Sequence, residues 1–504
     1  MKKKESIFWC VIIAVCCSCF ETQGSDYSFD ETGITRDNLE NYLGRAVTMA
    51  EFLTVDPFCN DATYPDKERD IELIQNIGAK FIGRSIYRWG GEKAFNNPEF
   101  LGNAEAIAAR VHENDPEVVF QAALFEAVST DVNHIKVPSW VFEEFGLPIE
   151  ERNFRYEDML NLEGKYVGFW GEKTSVPDIT RVEARLWFMF LAGTYINIGC
   201  EALHLGQIAL IGMEDDGYEK WSETLDKIRG FAQKNARRNW VLLDAHTPWG
   251  GMVVDGKSLL DFNSFPLRIK EVVEDPFRSV LERGYIDAFY CRSEGGITPS
   301  GWYADALPYF VEFDNFGISD TPGQATIDSH YVWGYDEITW FYLQDEAYQK
   351  EWLHYAYGWL KENDTNGFLQ MPVCRIVVLE NEPVRKCHAN TRTADFPHGM
   401  NLEETIKAIW NSSSEESARA PILNWQIGYH EHETEQPAEW FSARVPGAVQ
   451  LDIMEGEGYE QPWWYGDNYL QFDWMETHYF TYKTAFEMPR LGEGGTGFLL
   501  LQGY

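Results

Sequence analysis

The run Phe310-Val311-Glu312-Phe313-Asp314 sets two carboxyls two residues apart, so both face the same side of an apolar, strand-like segment. Hydrolysis of a glycosidic bond needs such groups in pairs: one protonated as acid and one ionised as nucleophile or base, about 5 to 10 Å apart across the sugar. Glu312 is the first candidate, because its apolar neighbours are expected to raise its pKa. The competing reading is a structural pair with an arginine. Glu126 is second, flanked by Leu124 and Phe125 and followed by a long polar stretch. Asp244 and His246 form a third pair that would orient a water or a substrate hydroxyl, although an Asp and a His so placed are as often a satisfied hydrogen-bonded couple. The catalytic candidates are therefore Glu312, Glu126, Asp314, Asp244 and His246. Asp336-Glu337 is better read as helix capping, since helix N-termini favour acids on dipole grounds alone.

These residues need a frame that points them at one place. Apolar runs alternate with amphipathic ones, the pattern of a βα repeat. Strands are expected at 47–53, 80–87, 118–125, 200–206, 240–244, 285–290, 308–313 and 367–371. Helices are expected between them, at 66–78, 186–200, 218–238 and 337–361 among others. This is an α/β chain with a (β/α)8, TIM-like barrel over 39–385. Such barrels work at the C-terminal ends of their strands. Glu51, Arg88, Trp89, Glu126, His204, Gln207, Asp244, His246, Glu312, Asp314 and Gln370 fall there. Loop tryptophans Trp89, Trp140, Trp170, Trp249, Trp302 and Trp333 would offer stacking faces to sugar rings. The expected substrate-binding residues are Arg88, Trp89, His204, Gln207, Trp249, Trp302 and Trp333.

Composition bounds the partners. The net charge of −38 repels phosphate backbones, so nucleic acid is excluded as a partner. Aromatics at 15% suit both a large core and carbohydrate binding. At the N-terminus, Lys2-Lys3-Lys4, the apolar run from Ile7 to Val15 and the cluster Cys16-Cys17-Ser18-Cys19 have the order of a secretory signal peptide, too short to span a bilayer. Ser18-Cys19 resembles a bacterial lipobox with Cys16 in the usual leucine position, so Cys19 is the expected lipidation site. Cys16 or Cys17 and simple cleavage remain open. An exported outer-membrane or cell-surface lipoprotein follows, otherwise a periplasmic or secreted protein, with membrane contact only through the lipid. Cys374 and Cys387 are the sole pair close enough in sequence for a local disulfide. There is no CxxC, HxH, HExxH or DxDxDG pattern; no cofactor and no metal is expected, although Asp244 and His246 are capable ligands.

Beyond a polar stretch at 386–421, which includes Asn411-Ser412-Ser413-Ser414-Glu415-Glu416, the segments shorten and alternate as antiparallel β structure does. Trp425-Gln426-Ile427-Gly428, Trp440, Val445-Pro446-Gly447-Ala448-Val449, Tyr465-Gly466-Asp467-Asn468, Trp474 and Tyr482-Lys483-Thr484 with Phe486 resemble the N-terminal sugar-binding jelly-roll of family two glycoside hydrolases, in the β-mannosidase-like branch. The resemblance implies a partial β-sandwich, galactose-binding-like, over 422–504. That family's catalytic barrel follows its sandwich, so the resemblance over 422–504 implies none of its catalytic glutamates. The barrel is similar in style to retaining glycosidase barrels, with an Asn-Glu acid after the fourth strand and a nucleophile after the seventh. Glu312 fits the second position, whereas the fourth strand offers His204 and Gln207, with Glu201 at its opposite end. The expected organisation is a signal peptide to residue 19, a tether over 20–38, barrel, linker and sandwich. The expected function is hydrolysis of poly- or oligosaccharides by paired carboxylates, or, as the alternative, non-catalytic glycan binding at the cell surface.

Overall fold

A computed structural model describes residues 26–55, 67–314, 331–379, 385–394, 396–397, 399–416, 425–432, 435–443, 449–459 and 468–484. The expected signal peptide, Cys19, and the motifs at 445–448, 465–467 and 486 lie outside them. The chain divides into two compact units, residues 1–410 and 411–504.

The first unit is a mixed α/β structure whose parallel sheet curls into a ring. Its strands are β1 (Ala46–Met49), β2 (Phe81–Ile86), β3 (Val119–Ala123), β4 (Ala202–Gln207), β5 (Leu242–His246), β6 (Asn263–Pro266), β7 (Tyr309–Glu312), and an eighth in two segments, β8 (Gly367–Leu369) and β9 (Met371–Val377). They pair in that order, all parallel. β8 pairs with β7, while β9, one residue further along, pairs with β1. One continuous stretch of chain thus joins the two edges, and the sheet closes on itself as a TIM barrel does. β10 (Arg385–His388) adds an antiparallel turn back along β9.

Seven of the eight expected strands coincide with these. The sixth does not: residues 285–290 form turns, and the ring position is taken by Asn263–Pro266, inside a stretch that reads as loop. A four-residue strand containing Asn, Ser and a terminal Pro has no apolar run to announce it. The expected helix 337–361 is two, α6 (Glu337–Leu343) and α7 (Glu346–Asn363), because Asp345 caps a new N-terminus by accepting from the Tyr348 N–H at 3.0 Å. Residues 26–38 are not a tether: Tyr27, Phe29 and Ile34 are buried, and α1 (Arg36–Leu43) begins within the segment. The expected linker carries β10 and α8 (Glu403–Glu416), whose Ile406, Ile409 and Trp410 are buried.

Inside the ring the side chains form layers. Ala46, Phe81, Val119, Ala202, Leu242, Phe262, Phe310 and Phe368 make an apolar plug at the N-terminal end, one from each strand or its edge. Two residues further along each strand, the inward positions turn polar: Thr48, Gly83, Gln121, His204, Asp244, Ser264, Glu312 and Gln370. Gly83 is required there, since a Cβ would collide with the Gln370 amide. Outside, helices such as α2 (Lys67–Ile77), α3 (Pro98–His112), α4 (Val182–Asn197) and α5 (Glu219–Asn235) cover the sheet. α4 is buried along nearly its whole length, which explains why its sequence carries no charge from Leu186 on, and no described helix is long and apolar enough to cross a membrane.

In the second unit, β11 (Trp425–His430) is flanked by β12 (Phe441–Ala443) and β13 (Tyr479–Lys483), all antiparallel, and helix α9 (Val449–Glu457) packs its Ile453 with Ile427, Phe472 and Met475. The described part is one three-stranded sheet rather than two facing ones.

Candidate functional site

The polar layer gathers around Glu312, 1% exposed at the end of β7. Its Oε1 pairs with the Arg84 guanidinium and lies 3.0 Å from His246 Nε2; Oε2 is 3.6 Å from Arg375 Nη1. Arg84 enters the ring because its backbone is left-handed, φ +55°, at a register shift in β2 that turns the side chain inward. Arg375 projects from β9. Burial works against charge on Glu312, yet Arg84, His246 and Arg375 outweigh it and hold the carboxyl well below the usual range. The expected upward shift is therefore reversed: apolar sequence neighbours on a strand lie on the other face and do not set the environment of an inward side chain.

Beside this centre is a second chain of contacts. Gln121 Nε2 donates to Asp244 Oδ1 at 2.6 Å, and Asp244 Oδ2 lies 2.7 Å from His204 Nδ1. His204 then stands edge-on to His246, ring centroids 4.9 Å apart. His204 Nε2 and Glu312 Oε2, both buried here, have no hydrogen-bond partner among the described residues, while His246 Nε2 meets Glu312 Oε1 at 3.0 Å. Asp244, His246, His204 and Glu312 are thus brought together.

Other expected residues are held elsewhere. Asp314 pairs with Arg268 at 3.3 Å, and its N–H donates to Glu337. Glu126 accepts from both the backbone N–H and the side-chain amide of Gln207, each at 3.0 Å, and meets no ion-pair partner among the described residues. Gln207 is thereby an anchor for Glu126. Arg88 is buried, bound to Glu51 at 2.7 Å and laid over the Phe100 ring at 4.0 Å, so it is not placed to meet a substrate. Gln370 reaches the Val47 carbonyl across the closing seam.

The tryptophans divide. Trp89 joins Tyr87 and Phe125 in a small cluster at the strand C-termini, with Trp170 4.8 Å away and its indole N–H donating to the Glu126 carbonyl. Trp249, 60% exposed, follows β5 directly. Trp302 instead bonds the Ile34 carbonyl and packs on the apolar plug at the opposite end. Trp333 is tied to the Arg278 carbonyl and packed against the core, and Trp140 fills the space over Gly193 in the helical layer. Loop position in the sequence did not mean an accessible face.

Sequence reasoning missed Arg84, Arg375, Gln121 and Glu337. For Gln121 and Arg375 the signal was present: each is a lone polar residue inside a run otherwise apolar, and such residues are buried only when something pairs with them. Glu337 leaves the capping to Asp336, which accepts from the Thr339 N–H. Its own carboxylate receives the N–H groups of Ile269 and Asp314, both at 2.9 Å, and burial pushes its pKa up to about 7. The one local disulfide that the cysteine spacing left open does not form. Cys374 faces His388 and Cys387 faces Arg375 across the β9–β10 ladder, so the two thiols point to opposite faces, and both are free.

No protein-family model and no curated protein matches the chain. Among solved structures it is similar to a cyclic α-maltosyl-(1→6)-maltose hydrolase from Arthrobacter globiformis, at 11% identity and TM-score 0.41, covering 75% of this chain and 84% of that one. A Nostoc punctiforme debranching enzyme gives 11% identity and TM-score 0.35 over 80% and 87% of the two chains. An α-galactosidase from Thermus thermophilus gives 13% and 0.28; the match spans 45% of this chain and 43% of that one. Likeness at this level leaves the chemistry to be argued from the site.

Proposed function

We propose that the protein hydrolyses O-glycosyl bonds of poly- or oligosaccharides at the C-terminal mouth of the ring. One observation supports this above the others: Glu312 is a buried carboxylate kept ionised by Arg84, Arg375 and His246, with one oxygen lacking a hydrogen bond, beneath an aromatic rim of Tyr87, Trp89, Phe125 and Trp170. An ionised carboxylate is the nucleophile or base of glycoside hydrolysis, and the rim suits the apolar face of a sugar. Glu126, held by the two N–H donors of Gln207, is the second carboxyl of the pair. Asp244 and His246 orient the reacting water or hydroxyl; Trp249 and His204 complete the substrate contacts. The C-terminal unit serves, in this reading, as a sugar-associated module of the family two jelly-roll type, and Cys19 carries the lipid of an exported protein.

A second reading has its own observation. Arg84 and Arg375 neutralise Glu312, and Arg268 neutralises Asp314, as in a site that binds glycans without cleaving them. Activity on a panel of aryl glycosides and glycans, beside a Glu312→Gln variant, decides between them. Turnover lost in the variant supports the hydrolase; glycan binding without turnover in either protein supports the binder.

A further inference from the structure

We propose that His204, His246 and Glu312 form a binding site for one late first-row divalent cation of the zinc class. The proposal deepens the hydrolytic reading at the same three residues: with the cation bound, Glu312 serves as a ligand, and a cation-bound water takes the place of the free carboxylate as the activated group. One donor atom from each residue lies within 4.8 Å of the others. A cation bound at about 2.0–2.2 Å by two imidazoles and a carboxylate needs donors about 3.4 Å apart, which small side-chain rotations from this arrangement supply. These three donors come from the C-terminal halves of β4, β5 and β7 in the closed ring.

The independent observation is the state of the donor atoms. His204 is 2% exposed, and its Nδ1 is engaged by Asp244 at 2.7 Å. That contact puts the ring proton on Nδ1 and leaves the Nε2 lone pair directed into the ring interior without a hydrogen-bond partner among the described residues. Glu312 Oε2 is likewise buried without a hydrogen bond, 3.6 Å from Arg375 Nη1, and the buried His246 Nε2 lies 3.0 Å from Glu312 Oε1. Buried polar atoms left without a hydrogen bond are costly unless something binds them. Asp244, itself fixed by Gln121 at 2.6 Å, stands to His204 as the carboxylates behind metal-bound imidazoles do, setting both tautomer and ring orientation.

Two imidazoles and one carboxylate suit zinc, cobalt or iron better than calcium or magnesium, which prefer all-oxygen shells. Three protein donors leave a coordination position open, the arrangement of sites that take a water or a substrate hydroxyl. Arg84 and Arg375 oppose the cation, so the site is weaker than a closed structural zinc site.

The test is titration of chelator-stripped full-length protein with Co²⁺, followed by visible absorption, with Zn²⁺ competing. One Co²⁺ per chain is expected, displaced by Zn²⁺. His204→Gln and His246→Gln should each weaken binding at least tenfold, and Asp244→Asn about ten- to a hundredfold, in protein whose near-UV circular dichroism stays native. His430→Gln, in the other unit, should leave binding unchanged. Electron spin-echo spectroscopy of the Cu²⁺-loaded wild type, which needs no variant, should show two coordinated imidazoles. Absence of stoichiometric uptake, or uptake that survives the double His204→Gln, His246→Gln change, overturns the site and leaves a bridging water as the partner of His204 Nε2 and Glu312 Oε2. Because uptake is read without turnover, its failure leaves the hydrolytic reading standing, and failure of hydrolysis leaves the cation site standing.

Discussion

The ring buries a glutamate between two arginines at both of its ends. At the N-terminal end, Glu201 is fully buried and receives four N–H donations, from Arg237 Nε and Nη2 and from Arg238 Nε and Nη2, at 2.6–3.2 Å. Arg238 also reaches Tyr42 Oη and lies 3.6 Å over the Phe29 ring. At the C-terminal end, Glu312 faces Arg84 and Arg375, but Oε2 makes no hydrogen bond, and two imidazoles lie beside it, that of His204 with an Nε2 that has no partner among the described residues. The ingredients are alike; the difference is whether the lone pairs are used. A buried charge with every oxygen occupied is a clamp, whereas one left incomplete has capacity for a ligand.

The largest effect separates the ends by turnover. Glu312→Gln is expected to lower turnover per folded molecule at least about a thousandfold, on the order of 4 kcal/mol of barrier. It also costs stability, since two guanidiniums lose their counter-charge, so rates must be normalised to folded protein by circular dichroism. Because the Glu312 pKa is depressed in the folded state, its stabilising share is present above the ordinary glutamate value and lost as pH falls through the folded one. Urea midpoints of wild type and variant should therefore converge in acid. Turnover within tenfold of wild type would make Glu312 a second clamp and erase the distinction.

Glu201→Gln tests the other end. Removing one partner of a buried ion pair costs about 3–5 kcal/mol, and the lower figure applies because the Arg237 side chain is 30% exposed. A urea midpoint lowered at unchanged slope, with turnover per folded molecule unchanged, is the expected result. Loss of activity at full stability would show that the N-terminal end takes part in function.

The third effect concerns pH. Glu337 ties the chain beyond β6 and β7 to the first turn of α6, and burial raises its pKa from the ordinary glutamate value of 4.5 to about 7 in the folded state. A carboxyl raised on folding contributes stability that is complete below 4.5 and lost as pH rises through 7. The span corresponds to roughly 3 kcal/mol. Wild-type stability should therefore slope downward across that window in urea titrations at successive pH values, and Glu337→Gln should flatten the slope. An unchanged slope would assign it to other groups.

How much of this was legible follows from what each element depends on. Strands β1 to β5 and β7 are apolar runs that cannot be solvated, so hydropathy alone placed them. β6 depends on its neighbours: Asn263 is held by the Gly250 carbonyl and Ser293, contacts that exist only once the ring has closed. The same division runs through the site. Strand ends placed Glu312, Asp244, His246 and His204 at one mouth. The sign of the Glu312 shift was not readable, because Arg84 and Arg375 come from distant strands, and Arg84 enters through a left-handed backbone that nothing in Gly83-Arg84-Ser85 announces. Likewise Trp302 and Trp249 both read as loop indoles, yet one lies under the ring and the other in solvent.

The smallest effect probes how complete the Glu201 clamp is. Tyr42 is fully buried; its Oη lies 2.6 Å from the Tyr27 carbonyl and 2.7 Å from that of Glu117, and it accepts from Arg238. Burial keeps this phenol protonated far above the ordinary range. Tyr42→Phe removes one donor and one acceptor while keeping the ring that packs against Tyr27 and Phe29. Arg238 keeps both of its bonds to Glu201, so the expected loss is about 1 kcal/mol, read as a small shift in urea midpoint with no change in turnover. A loss approaching that of Glu201→Gln would mean that the phenol, rather than the arginine pair, holds Arg238 in place, and the clamp would then be a network in which no single charge is sufficient.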